Sequence, residues 1–171
     1  MRREKRRGGK EPLLSAKDFR QYLLEHAAQI APGDVETLVA ARAAVAAKIN
    51  GGCGDHALLQ TQLRFALELL TDHAQGRSPQ IPYHTVSLLA VAMLYFLNPF
   101  DVIPDDIPRV GLSDDALMAE LAFELAAPGV ERYATWKGVQ ASSVLVNQSD
   151  SKKKATPPRR APRCTTRRRR G

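Results

Sequence analysis

The longest apolar run in the chain, Val86 to Leu97, is interrupted only by Ser87, and prolines follow it at Pro99, Pro104 and Pro108. Proline lacks the N–H that a helix interior needs and pushes the preceding residue into extended geometry, so a helix formed by this run must stop where the prolines begin. Twelve helical residues span about 18 Å, well short of a hydrocarbon core of roughly 30 Å. The run does not cross a bilayer by itself, and it is read as a buried core helix in preference to a short segment dipping into a membrane surface. As a helix from about Tyr83 to Leu97 it places Leu88, Val91 and Tyr95 on one side and Leu89, Met93 and Phe96 on others. A helix apolar nearly all round belongs at the centre of its domain.

The flanking segments supply its cover. Ser15 with Asp18 forms a capping-box variant ahead of Phe19, Leu23, Ala27 and Ile30, which recur at helical spacing until Pro32-Gly33. Asp34 caps a second helix, expected to run unbroken through Val35, Leu38, Val45 and Ile49 to Asn50-Gly51-Gly52. Asp55 opens a third, about 20 residues long, with Leu59, Leu63, Ala66 and Leu70 on one face and Gly76 at its end. Beyond the prolines, Ser113-Asp114-Asp115 starts a fifth helix. In it Leu117, Leu121 and Leu125 are expected to face inward and Glu120 and Glu124 outward, until Pro128-Gly129 ends it. A short sixth holds Val130, Tyr133 and Trp136, and Tyr95, Phe96, Tyr133 and Trp136, at helical spacing beside leucines, are read as core in preference to base-stacking residues. No segment alternates with period two, so the predicted fold class is all-α. The expected architecture is a small bundle of five to six helices containing a central helix, a proline-acid loop and a second helix as a hairpin.

Charge divides the chain differently. The net charge of +7 arises at the ends: residues 1–11 hold six bases and two acids, and residues 150–171 hold ten bases and one acid. Residues 12–149, with nine bases and fifteen acids, are therefore an acidic body, which argues against a basic globular nucleic-acid fold. The expected organisation is a basic arm at 1–14, a helical domain at 15–140 and a basic tail at 141–171, the two ends too poor in apolar residues to fold. Cys53 and Cys164 provide neither a disulfide framework nor a zinc-ligand spacing. The N-terminus has the charge of a signal peptide without its apolar stretch, and a cytoplasmic location is expected.

The order Tyr95-x-Leu97-x-Pro99-x-Asp101-x-Ile103-Pro104-Asp105-x-Ile107-Pro108, then Gly111-x-x-Asp114-Asp115, closely resembles the YkvA-like family, a domain of unknown function (DUF1232). The resemblance extends back to Gly76-Arg77 and Ile81-Pro82-Tyr83 and forward to Glu131-Arg132-Tyr133 and Trp136-Lys137, covering about 70–137. It implies a helix, a proline-acid loop and a second helix packed as a hairpin, in small, largely bacterial proteins often described as membrane associated. It brings no settled activity. Asp106, Arg109 and Ser113 stand where the family has apolar residues, so this loop is more polar and less suited to entering lipid.

Asp101, Asp105, Asp106, Asp114 and Asp115 lie close together in sequence. Carboxylates on a proline-stiffened loop suit a hard cation such as Mg²⁺ or Ca²⁺, with Asp101, Asp105 and Asp114 as candidate ligands. The favoured reading is structural: Asp101 and Asp105 accept N–H bonds at proline turns, Asp114 and Asp115 sit at a helix N-terminus favoured by its dipole, and no cofactor is expected. The spacing is not that of an EF-hand, and Glu120 and Glu124 lack the Glu-x-x-His pairs of a di-iron bundle. Nucleophile-elbow, phosphate-loop and zinc-protease motifs are absent, and no catalytic residue is assigned. In the tail, Lys152, Lys153, Lys154, Arg159, Arg160, Arg167, Arg168, Arg169 and Arg170 are candidates for binding an anionic surface, with no aromatic residues among them to read bases. The expected function is a non-enzymatic interaction module, peripheral at the inner membrane through its basic ends. The alternatives are a divalent-metal site or metal enzyme at the Asp-rich loop, non-specific nucleic-acid binding through the tail, and a protein partner at the loop.

Overall fold

The computed structural model describes residues 15–97 and 112–145, and over them the chain is all-α. The helices are α1 (Ala16–Ala27), α2 (Pro32–Ala40), α3 (Arg42–Gly52), α4 (Ala57–Ala74), α5 (Tyr83–Leu97), α6 (Ser113–Leu125) and α7 (Ala127–Lys137), followed by a single 3₁₀ turn at Ala141–Ser143. The basic arm at 1–14, the loop at 98–111 and the tail from 146 onward lie outside the described residues. With them fall Pro99, Asp101, Ile103, Pro104, Asp105, Pro108, Gly111 and every tail base named above.

α5 takes the central place that its composition requires. Nine consecutive residues from Thr85 to Met93, and Phe96 beyond them, are buried, and α1, α4, α6 and α7 pack around it. α1 enters through a complete capping box: the Ser15 hydroxyl accepts from Asp18 N, and Ser15 N donates to Asp18 Oδ2 at 2.8 Å. Asp34 does the reciprocal half of this at α2, accepting from Ala31 N at 2.8 Å behind Pro32 in the first turn.

Among the described residues there are seven α-helices where five to six were expected, because the second helix is broken. At Ala41 the backbone opens to φ −86°, ψ 7°, and the chain restarts at Arg42. Both halves pack on α4, and the opening lets each meet it at its own angle. The inward face of α6 also differs from the expected stripe. Leu121 is buried, but Leu117 and Leu125 are only half-buried, while Asp114, Asp115, Met118, Ala119, Ala122 and Phe123 are buried. α5, α1 and α4 all cover this helix, so its buried arc is wider than one leucine stripe. Pro128 and Gly129 do not end α6; they lie in the first turn of α7, where proline's missing N–H has no helical partner to lose. Trp136, expected in the core with Tyr133, is 48% exposed, whereas Tyr133 is fully buried.

Two helices end in the same way. At α4, Gly76 has φ +66°, Arg77 N donates to Asp72 O and Gly76 N to His73 O. At α7, Gly138 has φ +75°, Val139 N donates to Ala134 O and Gly138 N to Thr135 O. These are Schellman endings, which need a left-handed residue and hence glycine. The packed chain continues past 140: Val144 is buried, and its carbonyl accepts from the buried Gln62 Nε2 at 2.8 Å.

Candidate functional site

The ends of α5 and α6 that face the 98–111 loop carry the described part of the motif. Tyr95 is half-buried, with its ring edge-on to Phe19 and Tyr22, and its hydroxyl donates to Asp114 Oδ2 at 3.0 Å. This bond ties the last turn of α5 to the first turn of α6 at the end of the hairpin from which the 98–111 segment leaves. Asp114 and Asp115 are 4% and 2% exposed, so both first-turn carboxylates, favoured there by the helix dipole, are inside the protein. Asp114 Oδ1 has no hydrogen-bond partner among the described residues. From α3, Lys48 Nζ donates to the Phe96 carbonyl at 2.6 Å and sits over the Phe96 ring at 4.8 Å, supplying a donor to a helix end whose carbonyls lack one.

Chemistry by a cysteine nucleophile finds no support here. Cys53 is fully buried. Burial first, and the negative charge of Asp115 second, push its thiol up to about 11 against a weaker pull from Arg64 and Lys48. At neutral pH it is a protonated small hydrophobe. His84 is exposed at the start of α5. Among the described residues no three of the His, Cys, Asp and Glu side chains are grouped to hold a metal ion.

A second polar centre, which sequence reasoning missed, lies between α4 and α7. Asp72 is 4% exposed. Its Oδ2 accepts from Tyr133 Oη at 2.6 Å and from Lys137 Nζ at 2.9 Å, and its Oδ1 accepts from Arg77 Nη2 at 2.7 Å and Nε at 3.2 Å. Lys137 also pairs with Glu68 at 2.8 Å. Burial raises the Asp72 carboxyl, but the hydrogen bonds from Tyr133, Lys137 and Arg77 outweigh it and hold the pKa at about 2. The same burial and the Asp72 charge raise the Tyr133 phenol. The signal available in sequence was the i, i+4 placement of Glu68 and Asp72 on α4, together with Arg77, Tyr133 and Lys137 inside the outer reach of the family resemblance.

Residues 85–121 match the profile of a family described as protein of unknown function (DUF1232). Over 70 residues the chain is 34% identical to a protein of Bacillus subtilis (strain 168) named as the uncharacterized membrane protein YkvA; the alignment covers 41% of this chain and 66% of the relative. The matched region thus spans just under two thirds of that relative's length. No solved structure matches the chain.

Proposed function

We propose, for a chain whose residues 85–121 match the YkvA-like family DUF1232, a non-enzymatic helical interaction module held at the inner face of the cell membrane by its basic ends. One observation carries the reading: the most apolar helix, α5, is consumed by the core. Among the described residues no helix is long and apolar enough to cross a membrane. The relative's name describes a membrane protein, and attachment by charge is the route that the sequence offers. An acidic body is repelled by an anionic leaflet, whereas the ten bases of 150–171 and six of 1–11 are attracted, at about 1 kcal/mol per base close to the surface. Intact protein is expected to co-sediment with anionic vesicles at low salt and to release at high salt, and deletion of 1–11 and 150–171 to abolish this without loss of helical circular dichroism. Unchanged binding of the truncated body would overturn the assignment, and displacement from vesicles by competing DNA would make the tail a nucleic-acid arm.

A second reading, a hard-cation site where α6 begins, is favoured by the burial of Asp114 with one carboxylate oxygen lacking a hydrogen-bond partner among the described residues. Buried polar atoms are normally paired, and a cation shared with Asp101 and Asp105 would pair this one. Mg²⁺ or Ca²⁺ at ten times its Kd would then stabilise the full chain by about 1.4 kcal/mol. That rise in melting temperature is expected to disappear in Asp101→Ala and Asp105→Ala; equal melting with and without the ions removes this reading.

A further inference from the structure

We propose that the open groove between α3 and α4 is a phosphate-binding site that takes the phosphate of a monoester, either as a free small molecule or as an anionic lipid headgroup. The groove has a volume of about 540 Å³, within the range of small-molecule sites. Its charged lining is Arg42, Arg64, Arg77 and Lys137 against Glu68 and Asp72. Four bases to two acids make it a positive spot on a body that is otherwise acidic.

The two acids are already matched. Asp72 is shared by Arg77 and Lys137, and Glu68 is paired with Lys137, which leaves Arg42 and Arg64 uncompensated. The cations are also held in place by acceptors that do not exhaust them. Arg64 forks Nε and Nη2 onto Asn50 Oδ1 at 3.2 and 2.7 Å, and Arg77 forks the same two nitrogens onto Asp72 Oδ1. A guanidinium has five N–H donors, so each arginine is oriented by one side of its fork and keeps Nη1 for a ligand. The Arg42 side chain has no hydrogen bond or ion pair among the described residues and is exposed. Oriented guanidinium groups with unused donors in a recess match the bidentate geometry of phosphate oxygens. Among the described residues no aromatic side chain lines the groove, so they offer no platform for stacking bases, and the observations favour a compact phosphate ester over a nucleic acid strand.

The groove lies in the folded body and is independent of attachment through the basic ends. The test uses the full chain, labelled for NMR, titrated with glycerol 3-phosphate and, in a second arm, with vesicles containing phosphatidic acid or only phosphatidylcholine. Saturable shifts of the side-chain signals of Asn50, Arg64 and Arg77 are expected. The affinity read from the Asn50 and Arg77 signals should fall at least tenfold in the double variant Arg42→Gln/Arg64→Gln and stay unchanged in Lys17→Gln, an exposed base outside the groove. The altered arginines are exposed, and an unchanged melting temperature confirms that the variant is folded. If the variant melts lower, the milder Arg42→Gln alone carries the comparison. Response to the soluble ester alone names a free metabolite, and response to phosphatidic acid vesicles beyond that names a headgroup. Shifts confined to the tail, shifts produced only by a DNA oligonucleotide, or equal affinity in the groove variant would overturn the assignment.

Discussion

Asp72→Ala is expected to lower the unfolding free energy by about 3 kcal/mol, in the range for breaking a buried hydrogen-bonded charge cluster from one side. The loss has a specific origin. Lys137 and Arg77 have side chains 30% and 60% exposed, and both recover water when the carboxylate goes. Tyr133 is fully buried, and its hydroxyl, which donates to Asp72 Oδ2 at 2.6 Å, has no such recourse. An orphaned buried donor costs about 1–3 kcal/mol, and bonds to charged groups are worth about 1.5–3 kcal/mol. Arg77→Met, which removes one exposed partner and leaves Asp72 with two others, is expected to cost under about 1 kcal/mol. Urea midpoints at constant m-value measure both. Similar small losses in the two variants would mean that Tyr133 finds another acceptor and that Asp72 is not what joins α4 to α7.

The same carboxylate sets a pH window. Its folded pKa of about 2 lies below the ordinary 3.8, so the folded state prefers the ionised form more strongly than the unfolded chain does. This contribution is complete above about pH 4 and is lost as the pH falls through about 2; at about 1.4 kcal/mol per unit it amounts to about 2 kcal/mol. In Asp72→Asn the stability lost between about pH 4 and pH 2 should be smaller by that amount. An unchanged slope would assign the acid sensitivity to other carboxylates.

What could be read from the sequence follows from how local each feature is. The burial of α5 was legible because its apolar residues surround the helix and the prolines after Leu97 fix its end. The capping box of Ser15 and Asp18 was legible because both members lie within one turn. The break at Ala41 was not, because a run of alanines favours helix equally on either side of it, and only the docking of both halves on α4 decides where it opens. The Asp72 cluster was hidden by distance along the chain. Tyr133 and Lys137 lie 61 and 65 residues from their common acceptor, and no periodicity links α4 to α7. On α6, acids in the first turn implied a helix N-terminus favoured by its dipole and said nothing of burial. The packing of α5, α1 and α4 on that helix accompanies the burial of Asp114, which accepts from Tyr95.

Gly129→Ala reverses the usual sign of a glycine-to-alanine change in a helix, and that reversal makes it a sensitive test of how α7 docks. In an open helix the substitution would stabilise by about 1 kcal/mol. Gly129 lies in the first turn of α7, where a Cβ would stand 2.7 Å from Thr85 Cβ and 2.6 Å from Thr85 Cγ2 and would meet Thr85 Oγ1 as well. Thr85 is buried at the start of α5. Rotation of its side chain can withdraw the hydroxyl and the methyl but not the Cβ, so the two helix starts have to move apart. Overpacking of this kind costs about 1–3 kcal/mol, and the net expectation is a loss of about 2 kcal/mol for Gly129→Ala and more for Gly129→Val. Since the clash is with a Cβ, Thr85→Ala should not relieve it, whereas Thr85→Gly should. In the double-mutant cycle, Gly129→Ala should be nearly harmless in the Thr85→Gly background and costly in the Thr85→Ala background. Equal costs in the two backgrounds would show that α7 approaches α5 less closely than described, and that the contact fixing Tyr133 and Lys137 over Asp72 is made elsewhere along the helix.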